Sequence, residues 1–126
     1  MTSVKIRHHP SLVTLIGIAE YQNEYYIINE FCNGATLFDF LHESNHTISM
    51  KVKLSIAKQI ARGMLFLHTN DPPIIHRDLK SLNILLVNKY NGEDNPQIKI
   101  ADFGLSRDFA STYMTGTLGT YHWMAP

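Results

Sequence analysis

His76-Arg77-Asp78-Leu79-Lys80-Ser81-Leu82-Asn83, with Asp102-Phe103-Gly104 further along, is the stretch on which the reading of this chain turns. Asp78 falls between two apolar anchors, Ile74-Ile75 and Ile84-Leu85-Leu86. The pattern predicts a strand on each side that holds the loop rigid. Asn83 follows Asp78 by five positions, and Asp102 follows Asn83 by nineteen, directly after another apolar run. A lone Asp-Phe-Gly is weak evidence of anything. The two segments together, at this spacing, are specific. Polar turns alone do not account for them.

Working outward, Ser49 to His68 reads as the clearest helix. Val52, Ile56, Ile60, Gly63-Met64 and Leu67 recur at spacings of three or four, and Ser49 suits the N-cap. Asp71-Pro72-Pro73 ends that segment, since proline cannot continue a helix. The apolar stripe reads as a core face, not a cofactor box. Thr36 is expected to cap a short helix over Leu37 to Leu41, with Phe38 and Phe40 as packing residues. Leu12 to Ala19 and Tyr25 to Phe31 read as a hairpin turning at Glu20-Tyr21-Gln22-Asn23. Asn33-Gly34 breaks the second strand. Ile84 to Val87 and Gln97 to Ala101 read as short strands joined by the polar stretch 88–96. Beyond Asp102 there is only a loop rich in Ser, Thr, Gly and Tyr.

The 126 residues suit one small domain. Hydrophobic residues at 44% and charged residues at 17% exclude a disordered chain. Eleven basic residues balance eleven acidic ones, so no global field draws the chain to nucleic acid. No apolar run approaches the ~20 residues of a membrane helix. The single cysteine, Cys32, permits no disulfide framework and fits a reducing, cytoplasmic setting. With no neighbouring lysine or histidine in sequence, Cys32 reads as a plain buried thiol. The seven histidines lack the paired spacing of a zinc site.

Transfer of a phosphoryl group to a hydroxyl needs few parts. A carboxylate orients the hydroxyl and takes its proton, Asp and Asn oxygens hold magnesium, and a lysine offsets charge at the transferred group. Asp78, Lys80, Asn83 and Asp102 match this known arrangement. On these residues the chain resembles the eukaryotic protein kinase family, over essentially its whole length. Pro10-Ser11-Leu12-Val13 resembles the segment entering the fourth strand of the small lobe, and Ile28-Asn29-Glu30-Phe31-Cys32 the fifth strand and hinge. The segment Gly119-Thr120-Tyr121-His122-Trp123-Met124-Ala125-Pro126 resembles the loop that receives a peptide substrate. Pro72-Pro73-Ile74-Ile75-His76 and the Trp-Met-Ala-Pro ending resemble the tyrosine-kinase-like group, which includes Raf-like and mixed-lineage kinases.

The resemblance implies an α+β, bilobal kinase-like fold, represented in part. Residues 1–29 would end the small lobe, 30–35 form the hinge, and 36–126 begin the large lobe and run through the activation loop. It implies ATP and Mg2+ as cofactors and a protein as substrate. Asp78 would be the catalytic base, and Lys80 would contact the transferred phosphate. Asn83 and Asp102 would bind the metal. The backbones of Glu30 and Cys32 would hydrogen-bond adenine, Leu85 would lie beneath it, and Asn29 behind it. Asp39 would sit near the ribose, or else be a solvated helix carboxylate. His76, Phe103, Leu15 and Val4 would form an apolar stack. Arg77 would capture a phosphate on the 106–118 loop, which offers Ser111, Thr112, Tyr113, Thr115 and Thr117. Lys80 and Thr120 typify Ser/Thr kinases, with dual specificity the alternative.

The chain departs from the family pattern in two places. It contains no Gly-x-Gly-x-x-Gly loop and no strand lysine of the Val-Ala-Ile-Lys type, and the resemblance is incomplete at both ends. The alternative reading is a pseudokinase or regulatory binding module. The intact Asp78, Lys80, Asn83 and Asp102 argue against it. Because the Gly-rich loop and lysine hold ATP phosphates, and the family's large-lobe helices after Pro126 would cover the long helix, residues 1–126 in isolation are expected to be unstable and inactive. Calorimetry and a phosphotransfer assay on that segment check this; a cooperative thermal transition or measurable activity would overturn it.

Overall fold

The computed structural model describes residues 8–43, 45 and 47–103. Gln22 and Asn23 both hold positive φ, 52° and 63°. A two-residue turn of this kind matches the twist of the strands it joins. Strands β1 (Leu15–Tyr21) and β2 (Glu24–Asn29) accordingly pair antiparallel, with Tyr21 opposite Glu24 and Ala19 opposite Tyr26. The turn is two residues shorter than the sequence suggested, because Glu20 and Tyr21 are already paired. Leu15, Ile16, Ile18 and Tyr25 to Ile28 are all exposed. Adjacent positions of a strand face opposite ways, so the described residues cover neither face of this hairpin.

The expected strand from Leu12 splits. Leu12 and Val13 turn away from the hairpin and are buried beside the second sheet. That sheet consists of β3 (Ile84–Leu86) and β4 (Ile98–Ile100), antiparallel, with Ile84 opposite Ile100 and Leu85 opposite Lys99. A parallel bridge joins Leu12 to Ile100, and an antiparallel bridge joins Thr36 to Leu85. Segments 11–13 and 33–36 thus flank the pair on its two open edges and satisfy its outer backbone groups. The outer bonds include Val13 N to Ile100 O at 2.9 Å and Leu86 N to Ala35 O at 3.0 Å.

Thr36 caps α1 (Leu37–His42), its Oγ1 accepting from Asp39 N at 3.1 Å. Ser49 caps α2 (Met50–His68), its Oγ accepting from Val52 N at 3.2 Å. Satisfying an orphan donor in this way is worth about 1 kcal/mol. Val52, Ile56, Gly63 and Leu67 form the buried face of α2. Met50, Leu54 and Leu65 remain exposed on its other side. No helix among the described residues is long and apolar enough to cross a membrane.

The core lies between α2 and the β3–β4 pair. Leu67, Leu86, Ile98 and Ile100 have 0–1% exposure, and each such side chain contributes roughly 1.5–3 kcal/mol of hydrophobic free energy. Gln59 laces the helix to the sheet: its Nε2 donates to Pro96 O at 2.9 Å, and its Oε1 accepts from Ile98 N at 3.0 Å. Ser55 also bonds Asn95. One expectation needs correction. Ile74-Ile75 forms no strand. Ile74 is instead pinned through its N–H to Leu67 O at 2.9 Å and by burial of its side chain. The loop after it therefore has a strand on one side only.

Two glycines mark close approaches. A Cβ on Gly63 would lie 2.8 Å from Ile100 Cδ1, a side-chain tip that can rotate aside. A Cβ on Gly34 would strike main chain, including Asn88 O at 2.6 Å. Gly34→Ala is therefore expected to destabilise by roughly 1–3 kcal/mol, and Gly63→Ala by less. Denaturant unfolding of the full-length protein carrying each variant checks the order.

Candidate active site

The loop from His76 to Asn83 is built by its own side chains. The His76 ring is 2% exposed. Its Nδ1 accepts from Asp78 N at 3.1 Å, and its Nε2 lies 2.7 Å from Ala101 O. A ring carrying its proton on Nε2 satisfies both partners. His76 thereby ties the start of the loop to the residue before Asp102. Arg77 and Asp102, on either side of this tie, hold φ of 70° and 59°. Such conformations cost non-glycine residues about 1–3 kcal/mol and persist only where the surroundings impose them.

Lys80 precedes a 3-10 turn over Ser81–Asn83, closed by Asn83 N to Lys80 O at 2.9 Å. The turn brings the buried Asn83 back onto Asp78. Asn83 Nδ2 donates to Asp78 O at 2.9 Å and to Asp78 Oδ2 at 3.1 Å. Lys80 Nζ lies 3.4 Å from the same Oδ2, with both side chains largely but not fully buried. One carboxylate oxygen is thus held by an amide and an ammonium. With its nitrogen committed to Asp78, Asn83 has its amide oxygen left as an acceptor.

Asp102 joins this group through the sheet. Ala101 N donates to Asn83 O at 2.8 Å, which continues the Ile84–Ile100 pairing by one step. Asp102 follows one residue past the position opposite Asn83. An Asp and an Asn oxygen fit Mg2+, which takes hard oxygen donors, few of them from protein.

Glu30 and Cys32 occupy the connection after β2. Glu30 Oε1 accepts from Lys99 Nζ at 2.5 Å and from Thr14 N at 2.7 Å. Chiefly through the Lys99 hydrogen bond, the Glu30 carboxyl is lowered to about 2. Cys32 is buried, and burial first, then the Glu30 charge, pushes its thiol above the ordinary value. Leu85 is half-buried on β3. Asp39 is engaged within α1, its Oδ2 accepting from Thr36 Oγ1 at 2.8 Å. Of the expected apolar stack, His76 and Phe103 are buried and Leu15 is 43% exposed. Asn29, opposite Leu15 at the end of β2, is exposed. Thr120, Val4 and the 106–118 loop lie outside the described residues.

Asp78, Lys80 and Asn83 are therefore in direct contact, Asp102 is joined to them by backbone, and Glu30 belongs to a second polar cluster. That second cluster was not anticipated. Its signal in the sequence is Lys99 at the centre of Ile98-Lys99-Ile100, since a lysine in a buried strand requires a partner.

A family model described as "Protein kinase domain" matches residues 1–126. RGS domain-containing serine/threonine-protein kinase A of Dictyostelium discoideum is 41% identical over 123 residues, which is 98% of this chain and 10% of that protein. Mitogen-activated protein kinase kinase kinase 7 of Drosophila melanogaster is 43% identical over 120 residues, 94% of this chain and 17% of that protein. Serine/threonine-protein kinase CTR1 of Arabidopsis thaliana is 38% identical over 127 residues, 98% of this chain and 15% of that protein. The chain thus spans a small part of the length of these relatives.

The Glu30 shift has a pH signature. Its carboxyl is lowered from 4.5 to about 2. The stability it contributes is present above pH 4.5 and is lost as pH falls toward 2. In thermal melts of the full-length protein, the difference between wild type and Glu30→Gln should be constant above pH 5 and shrink between pH 4.5 and 2.

Proposed function

Because the chain belongs to the protein kinase domain family, we propose that it carries the catalytic residues of a Ser/Thr-directed protein kinase, which moves the γ-phosphoryl of ATP to a protein hydroxyl. The observation that carries this reading is the Asp78 carboxylate, gripped at Oδ2 by Asn83 and Lys80, with Asn83 bonded in turn to Ala101, the residue before Asp102. The relatives' names supply the Ser/Thr direction, and Lys80 and Thr120 agree with it. Likeness to these relatives also fits the tyrosine-kinase-like group. No observation favours the pseudokinase reading, which would be expected to lack one of the four polar residues.

Each residue then has a physical task. Asp78 accepts the hydrogen of the attacking hydroxyl and orients the oxygen, and the amide of Asn83 keeps the carboxylate from rotating. The hydroxyl oxygen bonds to the γ-phosphorus, the bond to the β–γ bridging oxygen breaks, ADP leaves, and the proton passes to Asp78. Lys80 faces Asp78 and offsets negative charge on the transferred group. Asn83 and Asp102 would hold Mg2+, which when bound neutralises phosphate charge. Residues 30–35 act as the hinge between the end of a small lobe, 1–29, and the start of a large lobe, 36–126. The backbones of Glu30 and Cys32 take the adenine edge, Leu85 its face, and Asp39 the ribose side. We place the protein in the cytoplasm on the strength of its free, buried Cys32. The neutral charge balance of these residues supplies no overall electrostatic pull toward nucleic acid.

The test is Asp78→Asn in the full-length protein, assayed with a Ser-containing and a Tyr-containing peptide. Phosphate transfer should fall about 10²–10⁴-fold while ATP binding by equilibrium titration stays near wild type. Retained transfer with lost binding would refute the assigned roles, and transfer to tyrosine alone would refute the Ser/Thr direction.

A further inference from the structure

Lys99 lies at the centre of β4 with a side chain only 8% exposed. A lysine in that position needs a counter-charge, and it has one 69 residues away in sequence, the Oε1 of the part-buried Glu30 at 2.5 Å. The same oxygen accepts from Thr14 N, and Glu30 N returns a bond to Thr14 O at 2.9 Å. Glu30 is therefore fixed by side chain and main chain at once. Lys99 is also fixed, since it stands directly opposite Leu85 in the β3–β4 ladder. Directly opposed residues of an antiparallel pair project on the same face, so the Lys99 stem runs alongside Leu85 before reaching Glu30. Three residues beyond Lys99 the same strand delivers Asp102.

We infer that Lys99 is a positioning residue for the nucleotide: its ion pair with Glu30 holds the 30–32 backbone at a set distance from Leu85 and Asp102. The inference rests on the reading that the 30–32 backbone and Leu85 contact adenine and that Asp102 handles phosphate. The ion pair spans the two ends of that site. Hydrogen bonds to adenine from residues 30–32 are sensitive to small displacements of the backbone, whereas the Asp78 group is held by its own contacts with Lys80 and Asn83. Loss of the pair should therefore weaken nucleotide binding more than it slows transfer once nucleotide is bound.

In the full-length protein, Lys99→Met keeps the apolar stem and removes the charge, Lys99→Arg keeps the charge, and the double variant Glu30→Gln with Lys99→Met removes both charges without stranding either. The expected result is a KM for ATP raised about tenfold in Lys99→Met, with kcat within about twofold. Lys99→Arg should recover most of that loss. The double variant should keep a raised KM for ATP while its thermal midpoint returns toward wild type. The KM for peptide should not move in any of them. A double variant with wild-type KM for ATP would overturn the inference and reduce the pair to a structural contact. An equal fall in kcat with unchanged KM would overturn it too. Wild-type protein that binds no ATP would overturn the reading of the site itself, and this inference with it.

Discussion

Ile100 is the point from which the rest of the structure hangs. Its N–H donates to Ser11 O at 2.8 Å, its carbonyl accepts from Val13 N, and it stands opposite Ile84. Its side chain is fully buried and lies where a Cβ on Gly63 would be. Three parts of the chain that are remote in sequence therefore converge on one residue: the segment before the hairpin, the long helix and the short sheet. Ala101 and Asp102 follow directly. Any shift of Ile100 would carry the His76–Ala101 tie and the Ala101–Asn83 bond with it. A strand of three residues has little stability of its own. It is held here because both its edges are paired and one face is packed against α2.

The ion pairs among the described residues divide by environment, and environment decides what each can do. Lys51–Asp94 is short, 2.6 Å, but both side chains are mostly in water, so it adds little. Lys80–Asp78 is longer, 3.4 Å, and half-sheltered. Lys99–Glu30 is the tight one, buried at its lysine end and part-exposed at the glutamate. Removing two charges from water costs free energy that the pairing itself only partly returns. Its value to the molecule lies in specifying where two strands and a connection meet.

Backbone strain is concentrated in the same place. Outside the hairpin turn, the described non-glycine residues with positive φ are Arg77 and Asp102. Both are bracketed by the His76 contacts and the β3–β4 ladder. The buried ring of His76 thus has a mechanical role. It supplies one bond to Asp78 N and one to Ala101 O, which together over-determine the two strained residues.

Much was legible in the sequence, for physical reasons that stay local. Thr36 and Ser49 announced their helices because a cap satisfies orphan donors two or three residues away. The stripe from Val52 to Leu67 announced α2 because helical periodicity is a property of the chain itself. His76 to Asn83 and Asp102 announced the protein kinase family because its motif holds few residue types at fixed spacing. What sequence could not decide depends on partners far along the chain. Ile74-Ile75 has the composition of a strand, but among the described residues it pairs with none. Leu12 and Val13 continue the apolar run of β1 yet pair with Ile100 instead. Lys99 and Glu30 are 69 positions apart, and no local rule joins them. Residue type and spacing determined the family of this protein. Only tertiary structure decided which strand edges close and which charges meet, because those choices rest on contacts the folded chain alone brings together.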